Sequence, residues 1–257
     1  MLEPYDVKMS STVLRGEGDS DAPLLPDIHT GKQNHRCKVW GRAFVLTPEN
    51  SVITEEQRTL IERLLLERMS LREICRAVGV GLRWLLQFLG EQFRRAPDHL
   101  YVKSPGRTSA VIPQQMEAEL DELWSLVGNK ANRQWVWIAM DAATRQVIAF
   151  HVGDRSSQGG KALWEQIPTV YQEQATFYTD QYALYTGVIP PARHRASTKL
   201  VRKTNYVERF NCTLRQRISR LVRATMAFSK THLANHIGAI KYFICDYNLA
   251  RSAALPG

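Results

Sequence analysis

Residues 118–127, Ala-Glu-Leu-Asp-Glu-Leu-Trp-Ser-Leu-Val, open the series of apolar segments that decides the fold. Two further segments follow at 134–140 and 146–152, after the turn residues Gly128-Asn129 and the short link at 141–145. Each segment is short and rich in aliphatic and aromatic residues, and turn formers bound it, which is typical of a β-strand. Because the links are short, the three strands are predicted to form an antiparallel meander.

The segments that follow extend the meander into a mixed sheet. A helix is predicted around residues 160–166, a short strand at 175–179 and a last amphipathic helix around 232–248. Three strands, a helix and a fourth strand open a ribonuclease-H-like fold, although other mixed α/β folds begin in the same order. We therefore predict that residues 117–250 form an α/β domain, a mixed sheet with flanking helices.

Composition divides the rest of the chain into smaller parts. Residues 1–28 mix Ser, Gly, Asp and Pro without periodicity, which predicts a flexible arm. Residues 29–50 look like half of a zinc ribbon or knuckle, in which Trp40 stands where a second cysteine would follow Cys37. Zinc needs a full tetrahedral set of ligands, so this part is predicted to be a degenerate remnant without metal. The remaining parts are a helical segment at 51–95, a basic linker at 96–116 and a C-terminal tail at 251–257.

The helical segment contains two helix-start signals. Thr54-Glu-Glu-Gln57 and Ser70-Leu-Arg-Glu73 both have the spacing of a capping box. The glycines of Gly79-Val-Gly81 favour a turn between the second and third helices, which predicts a helix-turn-helix. A plain three-helix packing module is the alternative. The apolar stripes are Leu60, Ile61, Leu64 and Leu65, then Leu71, Ile74, Cys75 and Val78, then Leu82, Leu85, Leu86 and Leu89, and the residues expected to face a DNA groove are Arg83, Trp84 and Gln87.

The charge balance points to a polyanionic partner. The chain carries a formal net charge of +9, which is typical of proteins that bind nucleic acid. An anionic membrane surface is the alternative, but no apolar run approaches the ~20 residues of a membrane span. The N-terminus lacks the pattern of a signal peptide, so we expect a cytoplasmic protein. Four scattered cysteines predict reduced thiols, with neither a disulfide framework nor a zinc site: Cys37, Cys75, Cys212 and Cys245.

A basic segment at 204–223 contains a single acid, Glu208. Its apolar residues recur three or four apart, as in a helix packed on a core: Val207, Phe210, Leu214, Ile218 and Leu221. So much like charge on one helix repels itself unless an anionic partner neutralises it. The residues predicted to bind DNA in and before this helix are Arg202, Lys203, Arg209, Arg215, Arg217 and Arg220. The alternative is a solvated basic helix with a stray glutamate.

Three carboxylates are candidates for a metal centre. In the predicted sheet the first strand is central and the fourth lies beside it, so Asp121 and Asp180 could face each other, and Glu208 could close the cluster. Carboxylates that are held together repel, and divalent cations relieve that repulsion. Two alternatives for the first acid stay open, Glu119 on the same strand face as Asp121 and Glu122 on the opposite face.

Three motifs also carry a resemblance to a known family. They are 121–128 (Asp-Glu-Leu-Trp-Ser-Leu-Val-Gly), 179–185 (Thr-Asp-Gln-Tyr-Ala-Leu-Tyr) and 206–217 (Tyr-Val-Glu-Arg-Phe-Asn-Cys-Thr-Leu-Arg-Gln-Arg). In these motifs the chain resembles transposases of the insertion-sequence-one family. The resemblance implies a helix-turn-helix that reads the terminal inverted repeats of an insertion sequence, joined to an Asp-Asp-Glu transposase domain of ribonuclease-H-like fold.

The resemblance also implies a mechanism and its partners. The catalytic and metal-binding triad falls on Asp121, Asp180 and Glu208, with two Mg²⁺ ions as cofactor and Mn²⁺ able to substitute. The implied reaction is hydrolysis and transfer of DNA strands. The implied partners are the inverted repeats and a target DNA, bound by a homo-oligomer in the cytoplasm of a prokaryote, at the nucleoid.

The chain departs from the family pattern in its N-terminal part. The family has two Cys-x-x-Cys pairs there, and this chain keeps one cysteine of the second pair. A catalytically inactive DNA-binding remnant that represses transposition is therefore the alternative function, and a host nuclease of the same fold is a third. Milder departures are Leu126, where Phe or Tyr is more usual, and a shortened loop at 190–199.

Overall fold

The computed structural model of the protein describes residues 34–36, 43–45, 53–103, 116–127, 132–180, 183–196, 203–221 and 233–254. The chain divides into two compact units, Met1–Thr54 and Glu55–Gly257. The predicted arm at 1–28 and most of the predicted linker lie outside the described residues.

The first unit contains one described hairpin. Strand β1 (Asn34–Arg36) pairs antiparallel with β2 (Ala43–Val45). Cys37 and Trp40, on which the prediction of a degenerate zinc-binding remnant depends, lie between the two strands and outside the described residues. That prediction therefore stays a prediction.

The second unit begins with three helices, α1 (Glu55–Leu64), α2 (Leu71–Val78) and α3 (Leu82–Arg95). The capping box predicted at the start of α2 is confirmed, since the Ser70 hydroxyl accepts the Glu73 N–H and the Glu73 carboxylate accepts the Ser70 N–H. The predicted turn is confirmed too. Gly79 ends α2 at φ 76°, a left-handed conformation that glycine adopts without a Cβ clash.

Two of the predicted apolar stripes are partly wrong. Leu60 on α1 is 44% exposed, and Leu82 and Leu86 on α3 are 39% and 44% exposed. The buried side of α3 is instead formed by Leu85, Phe88 and Leu89, which recur three and four apart. The stripe was misplaced because α3 carries apolar residues on both sides, and only tertiary packing decides which side is covered.

A five-stranded mixed sheet follows the helices. Its strands are β3 (Glu117–Leu126), β4 (Arg133–Asp141), β5 (Val147–Gly153), β6 (Thr176–Thr179) and β7 (His194–Ala196), in the spatial order β5-β4-β3-β6-β7. The predicted meander is confirmed, because β3, β4 and β5 pair antiparallel. On the other side of β3, strands β6 and β7 run parallel to it and to each other. The three-residue β7 was not predicted, since it has no apolar pattern.

Helices cover the sheet and create two cores. They are α4 (Ser157–Gln166), α5 (Thr169–Gln174), α6 (Asn205–Arg217) and α7 (Leu233–Ala254), with short 3₁₀ helices at Ala183–Gly187 and Ser219–Leu221. One core joins α6 and α7 to the sheet, and the predicted stripe of α6 is confirmed in it. The other core lies around Trp137, Phe177 and Leu163, with residues of α4 and α5. No helix among the described residues is long and apolar enough to cross a membrane.

The three-helix segment, predicted as a domain at 51–95, packs against α7 of the part predicted at 117–250. A Cβ added to Gly238 of α7 would lie 2.8 Å from Phe93 of α3, so only glycine allows this close approach. The ring of Phe93 also lies 6.1 Å from that of Tyr242. At the other end of the contact, the Arg68 N–H donates to the carbonyl of Arg217, at 2.8 Å.

Candidate functional site

Asp121 lies on β3, and Asp180 directly follows the neighbouring strand β6. Strands β3 and β6 pair in parallel with Glu117 opposite Thr176 and Glu119 opposite Tyr178. Continued by two residues along both strands, this register would bring Asp121 opposite Asp180. Residues opposite each other on neighbouring strands point to the same face of the sheet, so the two aspartates would then share a face, and the charge of Asp180 does act on Asp121.

The carboxyl group of Asp121 is buried and lies near other acidic side chains. The pKa of its carboxyl is raised to about 7, first by burial and then by the negative charges of Glu122 and Asp180. Hydrogen bonds from the Glu122 backbone and the Asn211 amide act in the opposite direction. The pKa of the buried Tyr185 hydroxyl is also raised, by burial first and then by Glu122, Asp121 and Asp180. A cation placed among these groups would favour the charged carboxylates.

Glu119, one alternative for the first acid, caps a helix. Its Oε2 accepts the N–H groups of Tyr206 and Val207, at 2.8 and 2.9 Å, in the first turn of α6. The first N–H groups of a helix need acceptors from outside the helix, and Glu119 supplies one from β3. Burial raises the pKa of Glu119, the two N–H groups oppose that shift, and the charge of Glu208 adds to it. This carboxylate is therefore used for structure.

Glu122, the other alternative, is bound on the opposite face of the sheet. Its carboxylate accepts a hydrogen bond from Arg155 Nε at 3.0 Å and from the Tyr185 hydroxyl at 2.7 Å, and its side chain is only 2% exposed. The Arg155 guanidinium in turn lies over the ring of Trp135, 4.4 Å from its centre. Of the three candidate acids on β3, Asp121 is thus the one that, by the register of β3 and β6, would share a face and a level with Asp180.

Asn211 of α6 holds Asp121. Its Nδ2 donates to Asp121 Oδ2 at 2.7 Å, and the asparagine is 6% exposed. Its Oδ1 is the one buried side-chain polar atom among the described residues without a hydrogen-bond partner, a situation that costs about 1–3 kcal/mol. Sequence reasoning missed this residue. The available signal was its position three residues after Glu208, which puts both on one helix face.

Glu208 does not reach the two aspartates in this structure. It is exposed, and its Oε1 accepts the hydroxyl of Thr204 at 2.9 Å. No three His, Cys, Asp or Glu side chains among the described residues lie close enough together to hold a metal ion. The predicted cluster of three carboxylates is therefore not assembled. Two physical reasons are the positive N-terminal end of α6, which favours Glu208 close to Thr204, and the mutual repulsion of three carboxylates brought together.

His194 anchors the backbone at Asp180. The Thr179 hydroxyl donates to the Asp180 carbonyl at 2.7 Å, so its single proton is used there. The ring nitrogen Nε2 of His194, 2.8 Å from the same hydroxyl oxygen, must then be the donor in that contact. This role of His194 was not predicted, because nothing in the local pattern indicates that β7 pairs with β6.

The predicted DNA-binding residues of the α6 region behave differently from one another. Arg209 and Arg215 are exposed. Arg217 is engaged within the protein, since it donates to the Leu66 carbonyl at 3.1 Å and to Glu67 at 2.6 Å. Lys203 likewise binds Glu117, at 3.1 Å. Arg202 and the side chain of Arg220 lie outside what the structure describes.

The residues predicted to face a DNA groove lie on the first turns of α3. Arg83 and Gln87 are exposed. Trp84 is half-buried, and its ring stacks on Phe88 with 5.1 Å between the ring centres. Arg83 and Gln87 are thus accessible to a partner, while Trp84 contributes mainly to packing on its own helix.

A family model described as IS1 transposase matches residues 115–246. Over 113 residues the chain is 34% identical to the insertion element iso-IS1n protein InsB of Shigella dysenteriae, a match that covers 44% of this chain and 82% of the relative. It is 33% identical over 114 residues to the insertion element IS1 protein InsB of Shigella flexneri, covering 44% of this chain and 83% of that protein.

Among solved structures, a match is found to a chain of a simian T-cell lymphotropic virus intasome in complex with a PP2A regulatory subunit. Its TM-score is 0.36 at 12% sequence identity, and the match covers 68% of this chain and 64% of that chain.

Proposed function

Because the chain belongs to the IS1 transposase family, we propose that it is a DNA transposase that binds the inverted-repeat ends of an insertion sequence and catalyses Mg²⁺-dependent hydrolysis and transfer of DNA strands. The observation that carries the proposal is the position of Asp121 on the central strand β3, with Asp180 directly after its parallel neighbour β6 and near enough for its charge to act on Asp121. Burial first, and then the negative charges of Glu122 and Asp180, raise the pKa of Asp121, and a divalent cation would favour its charged form.

The topology supports a ribonuclease-H-like fold for the catalytic part. The central strand β3 has two antiparallel strands on one side and two parallel strands on the other. The first acid lies on this central strand and the second directly after its parallel neighbour. Because the two strands are neighbours in the sheet, this arrangement places the two acids near each other.

The donor atoms around Asp121 suit Mg²⁺. This cation binds oxygen ligands and takes few of them from protein carboxylates, and the site offers the carboxylates of Asp121 and Asp180. The unpartnered amide oxygen of Asn211 is a further oxygen next to Asp121. When bound, Mg²⁺ or Mn²⁺ would activate a water or 3′-hydroxyl and stabilise the leaving oxygen.

The chain's own residues position this chemistry. Asn211 holds the Asp121 carboxylate, and His194 with Thr179 fixes the backbone at Asp180. Glu208 lies one turn before Asn211 on the same helix face. We infer that a change of side-chain rotamer, which breaks the contact with Thr204, turns Glu208 toward the aspartates as the third acid.

The charged and helical surfaces support a DNA partner. Exposed Arg209 and Arg215 would contact phosphates beside the acids, a positioning role without sequence information. Helices α2 and α3, with the turn at Gly79, fit a helix-turn-helix in which Arg83 and Gln87 reach base edges. Joining two element ends requires more than one protomer, so we propose a homo-oligomer on DNA.

Cleavage of labelled duplex DNA that carries the element end tests the proposal. The parent chain and the control Glu173→Gln, an exposed glutamate of α5, should both cleave and join strands in Mg²⁺. Asp180→Asn should bind the same DNA as tightly and neither cleave nor join it. Equal cleavage by Asp180→Asn would contradict the proposal.

The inactive DNA-binding remnant remains a second candidate function, because Trp40 stands where the family has a cysteine. It predicts that the parent chain binds inverted repeats selectively and cleaves them in neither Mg²⁺ nor Mn²⁺. Cleavage without any joining would instead favour a nuclease.

A further inference from the structure

The amide of Asn211 is used on one side only. Its Nδ2 donates to Asp121 at 2.7 Å, whereas its Oδ1 is buried without a partner. A buried polar atom of this kind in a folded protein calls for an explanation, and an ion or water that fills the site is one of the recurring explanations. The unused oxygen therefore marks a place where something else belongs.

The position of Asn211 indicates which kind of partner its amide oxygen would bind. The asparagine contacts Asp121 from the same helix face that carries Glu208, one turn earlier. The negative charges of Glu122 and Asp180 act on Asp121 as well. The partner of the amide oxygen must accordingly tolerate or offset several carboxylates, and a cation with its bound waters does so while an anionic phosphate does not.

The hydrogen bond to Asp121 alone does not explain the choice of asparagine. The energy gained by donating to a carboxylate is similar in size to the cost of leaving the amide oxygen unpaired in the interior. Seen as a device for stability, the side chain therefore gains little over an apolar residue of similar shape. Asparagine becomes more favourable than an apolar residue at this position once its amide oxygen also has a partner.

We propose that Asn211 belongs to the metal site in two ways: its N–H group orients Asp121, and its amide oxygen is a ligand of the divalent cation that Asp121 binds. This inference rests on the proposed function. The amide would add a neutral oxygen ligand to the carboxylates. Hard divalent cations accept both amide and carboxylate oxygens in proteins.

Binding of Mn²⁺ to the metal-free, full-length protein, followed by electron paramagnetic resonance, tests the inference without any DNA or activity. Two variants distinguish the role of the amide oxygen from that of the amide N–H group. Asn211→Leu removes both, and we expect Mn²⁺ affinity to fall at least about 10-fold, as for loss of other groups that orient metal ligands, while the thermal midpoint of the metal-free protein stays the same or rises. Asn211→Asp keeps an oxygen, and its Mn²⁺ affinity should equal or exceed that of the parent.

Each result decides the inference. Parent-like Mn²⁺ affinity in Asn211→Leu would overturn it, and so would a 10-fold loss in Asn211→Asp, because then only the N–H group matters. The Asp variant also decides the matter if the Leu variant fails to fold. Asp121→Asn separates this inference from the proposed function: if it binds Mn²⁺ as the parent does, the proposed metal site is wrong, and the inference falls with it. If Asp121 is required and Asn211 is not, only the inference falls.

Discussion

Two buried asparagines of this protein are used in opposite ways. Asn248 of α7 is fully buried, and its Nδ2 donates to the carbonyls of Leu100 and Val147, at 2.8 and 2.9 Å. Its Oδ1 accepts the Val147 N–H at 2.9 Å. Asn211 of α6 makes one such bond, to Asp121. A buried amide whose atoms are all paired joins elements of the fold, whereas one with an unused oxygen beside crowded acids indicates a binding site.

The surroundings of Asn248 strengthen the contrast. Buried Gln146 donates to the Asn248 carbonyl at 3.2 Å and to the Ser252 hydroxyl at 2.7 Å. Its Oε1 accepts the N–H of Lys103 at 3.2 Å. Fully satisfied networks of this kind rigidify a core. This network fixes the start of β5 against α7, while the amide oxygen of Asn211, whose Nδ2 binds Asp121, has no hydrogen-bond partner.

The largest expected effect is the loss of stability when Asn248, whose amide atoms are all hydrogen-bonded, is replaced. Asn248→Leu leaves the Val147 N–H and two carbonyls without partners, and we expect the free energy of unfolding to fall by about 3–5 kcal/mol. Asn211→Leu, in metal-free buffer, should change it by less than about 1 kcal/mol. Urea unfolding of the two variants beside the parent measures this difference. Equal losses in both variants would remove the distinction between the two sites.

The second effect is the pH dependence that Asp121 adds to stability without metal. Its pKa is raised from an ordinary value of 3.8 to about 7 in the folded protein. The folded state therefore holds the proton more tightly, and the contribution to stability is present below pH ~4 and lost as the pH rises through ~7. Relative to the parent, Asp121→Asn should gain on the order of 3 kcal/mol of stability between pH 4 and pH 8. Unfolding curves at the two pH values check this, and an unchanged difference would show that burial and the neighbouring charges do not raise the pKa of Asp121.

The third effect concerns the contact between the three-helix segment and the sheet part. Arg217→Ala removes the hydrogen bonds to Leu66 and Glu67, and we expect a loss of about 1–2 kcal/mol of unfolding free energy. Arg215→Ala, in the same turn but exposed, should change stability by no more than about 0.5 kcal/mol. Thermal unfolding of both variants provides the measurement. A larger loss in Arg215→Ala would reverse the roles assigned to the two arginines.

The smallest effect is on the salt dependence of DNA binding. Arg209→Gln and Arg215→Gln should each reduce the slope of log affinity against log salt by about one unit, because each loses one phosphate contact. Arg217→Gln should leave the slope unchanged, since its guanidinium is already bonded to Leu66 and Glu67. Fluorescence anisotropy with duplex DNA over a series of salt concentrations compares the three. If the slope falls only in Arg217→Gln, the assignment of phosphate contacts is wrong.

The elements of the fold were predictable where the sequence pattern is local. The strands of the meander follow from short apolar segments between turn formers, and the capping box at Ser70 needs only its own four residues. The α6 stripe, including Val207 and Phe210, follows from helical spacing. These features depend on neighbours within a few residues, so a single sequence contains the information.

Much of the site could not be predicted from the sequence, because its contacts join residues that are far apart in the chain. Asn211 is identified by a bond to Asp121 on a strand 90 residues earlier in the chain. The role of Arg217 depends on a loop near Glu67, 150 residues away. The resting position of Glu208, bound to Thr204, is a choice among side-chain rotamers that local spacing does not decide. Spacing predicts which residues share a face, and tertiary packing decides which partner each one meets.

The most direct test of the central claim is the rate of element-end cleavage and joining by Glu208→Gln in Mg²⁺, beside the parent and Glu173→Gln. The substitution keeps the shape of the side chain and removes the charge that the third acid must supply. We predict DNA binding equal to that of the parent, with cleavage and joining slowed by about 100-fold or more. Parent-like cleavage and joining by Glu208→Gln would contradict the assignment of Asp121, Asp180 and Glu208 as one catalytic site.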